Sequence, residues 1–206
     1  MSHGAVPHEI AEGTRVGLAP LARRLASMGV TANAVTVLGG LLTVLGAALL
    51  AAGIPLAALI VLVIGALADT LDGQIAKASG GGTPFGSFLD STVDRISDAA
   101  LFCGTAGLAV GTAQPILLAG ALLALVASSL VPYVRAKAEA LGVAATVGPA
   151  PREARIAIFL LGLAAWALLG LDAAFIVAVL AVALLASITT GLRVAHVSGQ
   201  LRTKGR

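Results

Sequence analysis

Half of the ten acidic residues in this 206-residue chain are aspartates crowded between positions 69 and 98: Asp69, Asp72, Asp90, Asp94 and Asp98. On a helix, the spacing of Asp69 and Asp72 puts both carboxylates on one face, and Asp90, Asp94 and Asp98 recur at i, i+4 and i+8 along another. So many carboxylates together repel one another, and the cations near them in sequence are few: Lys77, Arg95 and, further along, Arg135. Two compensations are open. Interhelical ion pairs would leave acids in excess. Divalent cations would neutralise them, and an oxygen-only donor set favours Mg²⁺ or Mn²⁺ over zinc. Two paired carboxylate sets predict two ions, the arrangement phosphoryl transfer uses to clamp the attacking and leaving oxygens.

The elements that must carry these acids are membrane helices. Hydrophobic residues make up 58% of the chain and charged ones 11%, where a soluble domain holds about a quarter charged; the mean hydropathy is +1.01. Residues 25–68, 99–134, 156–171 and 173–192 contain no Asp, Glu, Lys or Arg, and one crossing takes about 20 residues. The first run breaks at Gly53-Ile54-Pro55 and the second at Gly111-Thr112-Ala113-Gln114-Pro115, because proline opens a helix but does not continue one. Gly170-Leu171-Asp172 divides the last two, with Asp172 as a turn residue or helix cap. Six spans follow, near 32–52, 55–77, 86–110, 115–140, 153–170 and 173–198.

Orientation follows from the bases. All 13 Lys and Arg lie at the two termini, in the connections between spans two and three and spans four and five, or in the span ends beside them. The positive-inside rule then puts both termini in the cytoplasm of a multi-pass inner-membrane protein, with the aspartates on the cytoplasmic side. The second span descends and the third rises, so both acid sets lie at similar depth, joined through Gly80-Gly81-Gly82-Thr83-Pro84. Over 7–28, Ile10, Leu18, Leu21, Leu25 and Met28 alternate with Arg15, Arg23 and Arg24, an amphipathic juxtamembrane helix lying on the bilayer. The expected fold is all-α and integral to the membrane. Residues 1–30 form a tail and juxtamembrane helix, 31–198 a six-helix domain, and 199–206 a basic cytoplasmic tail.

Several classes drop out. The single cysteine, Cys103, can form neither an internal disulfide nor a Cys-based zinc site. A net charge of +3 without basic runs among aromatics gives no nucleic-acid partner. Residues 1–24 are polar and have no apolar stretch of the kind a signal peptide needs.

The acids stand in the order Asp69-Thr-Leu-Asp72-Gly73-Gln-Ile-Ala76-Lys77, then eight residues to Gly86, three to Asp90 and three to Asp94. This resembles the signature of the CDP-alcohol phosphotransferase family, D-x2-D-G-x2-A-R-x8-G-x3-D-x3-D, at every fixed position but one. Lys77 replaces the usual Arg, keeping the charge and losing the planar fork. The resemblance implies a six-span enzyme that uses two divalent ions, held by Asp69, Asp72, Asp90 and Asp94. It would transfer a phosphoalcohol unit from a CDP-linked donor, usually CDP-diacylglycerol, to an acceptor hydroxyl and release CMP. It also implies that Asp94 is the general base. Donor contacts would come from Asp69, Asp72, Gly73, Ala76, Lys77, Thr83 and Gly86, and from Thr31, Ala32, Asn33 and Ala34 at the start of the first span. Gly73 and Ala76 serve equally to leave room for a nucleotide or to let helices pack, whereas for Thr31 or Asn33 the residues alone favour a helix N-cap. A homodimer is the assembly the family implies.

The acceptor is narrowed by Pro132-Tyr133-Val134-Arg135-Ala136-Lys137-Ala138-Glu139 and by Arg152-Glu153-Ala154-Arg155. These are similar to S-Y-x-K-A-R-A-E and E-R-x-E-R of the phosphatidylinositol-phosphate synthase branch, with Pro132, Arg135, Lys137, Pro151 and Ala154 as departures. Arg193 matches a further basic position. Arg135, Lys137, Arg152, Arg155 and Arg193 would then bind the phosphate of a phosphorylated polyol. The expected reaction joins CDP-diacylglycerol and inositol phosphate into phosphatidylinositol phosphate. A phosphatidylglycerophosphate synthase using glycerol 3-phosphate is the alternative within the family. A divalent-cation transporter is the alternative outside it, disfavoured because the outer halves of the spans carry no polar exit path.

Overall fold

A computed structural model describes the backbone of residues 8–204 and the side chains of residues 17–203. Seven helices follow in chain order: α1 His8–Ser27, α2 Ala32–Ala51, α3 Pro55–Ala78, α4 Pro84–Gly111, α5 Pro115–Ala140, α6 Arg152–Leu169 and α7 Asp172–Lys204. Four of them, α2, α3, α5 and α7, are long and apolar enough to cross a membrane. This is a multi-pass membrane protein. Six crossings were expected from the charge-free runs; α4 and α6 differ from the other four in their polar opening turns. α4 holds Asp90, Asp94 and Arg95 in its first half and Asp98 just beyond, and α6 starts Arg152-Glu153-Ala154-Arg155 within only 18 residues.

The helix ends follow local chemistry. Pro55 and Pro115 open α3 and α5, where the missing N–H has no intrahelical partner to lose. Gly170 takes the left-handed conformation (φ 71°) that stops α6. Asp172 then takes the turn role expected of it, its Oδ1 accepting the Ala173 N–H at 2.9 Å. In the 111–115 break the left-handed residue is Ala113 (φ 54°), whose own N–H and that of Gln114 close the last turn of α4 on Val110 O and Ala109 O. The basic tail expected from 199 onward is helical to Lys204, as a continuation of α7. α1 is the helix expected over 7–28, although Ile10 and Arg15, on which its amphipathic reading partly rests, fall outside the described side chains.

Two compact units divide at residues 108 and 109. In the first, Ala22 of α1 meets Val35 of α2 and Ile75 of α3, with Leu25, Val30 and Leu71 around them. Small residues bring α2 close to its neighbours: a β-carbon on Gly104 would collide with the Ala47 backbone, and one on Gly40 with the Val93 side chain. Close approach of this kind lets dispersion hold helices together where lipid supplies no hydrophobic drive. In the second unit, Ala127 and Val131 of α5 pack on Ala186 of α7. Phe159 of α6 meets Phe175 of α7 edge-on, centroids 5.3 Å apart, and Trp166 stacks on the same Phe175 ring at 5.5 Å.

Candidate metal centre and the basic connection

The hairpin between α3 and α4 performs the reversal expected of its glycines. Gly80 and Gly81 have φ of 95° and 116°, a region open to glycine at little cost, and the Gly81 N–H closes on Ala76 O at 3.0 Å. Thr83 then starts α4, its Oγ1 accepting the Gly86 N–H at 3.0 Å. The last turns of α3 are thereby set beside the first turns of α4. One carboxylate oxygen from each of Asp69, Asp90 and Asp94 lies within 4.8 Å of the other two. Arg95 reaches this group only loosely, with Nη2 3.8 Å from Asp94 Oδ2. Three clustered carboxylates that are partly open to solvent form an all-oxygen donor set, which fits a hard divalent cation such as Mg²⁺ or Mn²⁺.

Asp72, predicted as the fourth ligand, stands outside that group. It is buried at 6% exposure, and its Oδ2 accepts a hydrogen bond from Thr36 Oγ1 of α2 at 2.6 Å. Asp98, the last of the sequence stripe, is buried further along α4 and is likewise not in the group. Thr36 was not singled out by its sequence. A polar residue in a membrane helix needs a hydrogen-bond partner, yet nothing in the sequence pointed to one 36 positions away.

The residues implied for donor binding gather in the same unit. Thr31 is the α2 N-cap, its Oγ1 accepting the Ala34 N–H at 3.2 Å. A β-carbon added to Gly86 would lie 3.0 Å from Asn33 Oδ1 and 3.1 Å from Thr83 Oγ1, so Asn33, Thr83 and Gly86 share one corner. A β-carbon on Gly73 would meet nothing within 4 Å. The space beside Gly73 is open, so no helix packs against that position. Ala76 is half-buried and Lys77 exposed.

In the second unit, the basic residues divide by environment. Arg155 is 4% exposed and donates from Nη1 to Ala150 O at 2.9 Å. Arg193 is 8% exposed and donates from Nε to Val147 O at 3.0 Å and from Nη1 to Val131 O at 2.8 Å. Both arginines thus tie down the irregular connection between α5 and α6. Burial of this kind is not what a guanidinium serving only as a cytoplasmic anchor would show. Arg152 is half-buried at the start of α6. Arg135 makes an exposed pair with Glu139 at 2.8 Å, and Lys137 faces a groove of about 560 Å³ with Tyr133, Val197, Leu201 and Arg202. The carbonyls that hold Arg155 and Arg193 carry no side-chain signal in the sequence.

Residues 29–189 match the family model described as CDP-alcohol phosphatidyltransferase. The chain is 41% identical over 150 residues to the phosphatidylinositol phosphate synthase of Mycobacterium tuberculosis strain H37Rv, covering 69% of this chain and 67% of that one. It is 40% identical over 162 residues to the archaetidylinositol phosphate synthase of Methanothermobacter thermautotrophicus, covering 77% and 78%. A crystal structure of the M. tuberculosis synthase with CDP-DAG bound superposes with a TM-score of 0.80 at 36% identity, over 87% of this chain and 92% of that one. Another, in complex with manganese and citrate, gives 0.81 at 35% identity, over 87% and 88%. With the aspartate signature gathered at the α3–α4 hairpin, these matches establish that the chain belongs to the CDP-alcohol phosphatidyltransferase family.

Proposed function

We propose that this enzyme is a phosphatidylinositol phosphate synthase, joining CDP-diacylglycerol and inositol phosphate with release of CMP. The observation that carries the acceptor is what its relatives have in common. Bacterial and archaeal relatives at about 40% identity are named for different lipids and for the same inositol phosphate headgroup. The residues assigned to each step are proposals in the same sense. Asp69, Asp90 and Asp94, with Asp72 beside them on α3, would hold two divalent ions. Those ions, when bound, polarise the donor's pyrophosphate and offset the charge growing on CMP. Asn33, Thr83 and Gly86 cradle the cytidine end of the donor, and the space beside Gly73 admits it. Thr31, Ala32, Ala34, Ala76 and Lys77 complete that side. Asp94 takes the proton of the acceptor hydroxyl as its oxygen bonds to the lipid-bearing phosphorus and the bond from that phosphorus to CMP breaks.

The remaining assignments follow from charge. The chain crosses the membrane six times, α4 and α6 included, with both termini and the active site on the cytoplasmic face where the bases lie. A homodimer is the assembly that membership of the family suggests. Arg152, Arg155 and Arg193 bind the acceptor phosphate, assisted by the charge of Arg135 and Lys137. Arg193 keeps Nη2 without a protein partner among the described residues, while Nε holds the connection at Val147 and Nη1 holds α5 at Val131.

A CMP-release assay with CDP-diacylglycerol and a panel of acceptors tests the reading. Inositol phosphate should support turnover, with inositol and serine inactive. If glycerol 3-phosphate is the better substrate, the enzyme is a phosphatidylglycerophosphate synthase instead. The arginines give a sharper outcome. Charge-assisted contacts contribute about 1.5–3 kcal/mol each, so Arg152→Ala and Arg193→Ala should each raise acceptor KM about tenfold or more while donor KM stays put. Correctly inserted variants with wild-type acceptor KM would refute the assignment.

A further inference from the structure

The Thr36–Asp72 bond has no place among the assignments above. At 2.6 Å it falls in the range of a hydroxyl donating to a carboxylate, where charge shortens and strengthens the contact. The same Oγ1 lies 3.0 Å from Ala32 O, one turn back in α2. A hydroxyl has one proton, and the shorter, charge-assisted contact holds it. Thr36 is a β-branched residue in a helix, so its χ1 has few alternatives, and at 7% exposure it is packed in place. Asp72 is equally buried. Asp69, Asp90 and Asp94 are partly open to solvent. Asp72 is closed off, and one of its oxygens is fixed by a hydroxyl of a neighbouring helix.

We propose that Thr36 is a positioning residue of the metal centre: its hydroxyl fixes the Asp72 carboxylate in one orientation and thereby sets the affinity for the divalent cation. The proposal rests on the reading of the aspartates as cation ligands. Outer partners that orient a ligating carboxylate are worth 10–100-fold in metal affinity. The bond also couples α2, whose first turn carries Thr31 and Asn33, to α3, which carries Asp69 and Asp72.

The test is Mn²⁺ binding to the purified enzyme, read by the electron paramagnetic resonance signal of free Mn²⁺, without turnover. Thr36→Val preserves shape and removes the donor; it should weaken Mn²⁺ about tenfold or more. Thr36→Ser restores the hydroxyl and should return affinity to within about threefold. Acceptor KM should be unchanged in both. A second measurement tests whether the effect passes through Asp72. In the Asp72→Asn background, adding Thr36→Val should weaken Mn²⁺ no further, whereas fully additive losses would overturn the proposal. Wild-type Mn²⁺ affinity in Thr36→Val overturns the role of Thr36 and leaves the metal reading standing. A wild-type enzyme that binds no Mn²⁺ overturns both. If Thr36→Val does not insert, Thr36→Ala lacks the same donor and carries the same expectations.

Discussion

Asp90→Asn is expected to cost the enzyme at least about a hundredfold in CMP release, comparable to removing one preorganised group that stabilises developing charge. The change keeps the size of the side chain and removes its charge. Asp69, Asp90 and Asp94 present oxygens within 4.8 Å of one another, and one neutral amide among them lowers both the charge and the donor quality of the set. Asp69→Asn should behave alike, because its carboxylate belongs to the same group. The loss should appear as weaker Mn²⁺ binding together with slower turnover, partly relieved at high metal concentration. Removal of divalent ions with a chelator should silence the wild type, and Mg²⁺ or Mn²⁺ should restore it. Full activity after chelation would refute the metal centre, and full activity of both variants would refute these ligands.

Asp94→Asn should differ in kind. If Asp94 is the base, kcat falls by about 10²–10⁴-fold, the usual contribution of general base catalysis, while binding of CDP-diacylglycerol is largely kept. Two roles are proposed for it, base and ligand. Asp94 Oδ2 lies 3.8 Å from Arg95 Nη2, and the carboxylate also belongs to the cluster with Asp69 and Asp90. Binding of CDP-diacylglycerol measured beside single-turnover CMP release separates them. A selective loss of the chemical step marks the base. Parallel loss of donor binding and turnover would show that Asp94 serves as a ligand alone.

The sequence by itself determined the helices, their ends and the clustering of the acids. Charge-free runs, the prolines at 55 and 115 and the glycines at 80, 81 and 170 act within a few residues of where they stand, so the boundaries they set could be read off directly. The expected start of the fourth span at 115 and of the second at 55 coincides with α5 and α3. Asp69, Asp90 and Asp94 were legible for a related reason, since a short hairpin between two helices brings their adjoining turns together. Tertiary structure alone decided what the buried polar groups do. Asp72 is one turn from Asp69, yet it ends on Thr36 of another helix. Arg193, read from the sequence as a phosphate binder, also donates to carbonyls at 131 and 147, 62 and 46 residues away. Local pattern shows that a polar side chain in an apolar helix must find a partner. Which partner it finds depends on the rotation of each helix against its neighbours, and that is set by the fit of small residues such as Gly40 and Gly104 against the helices facing them.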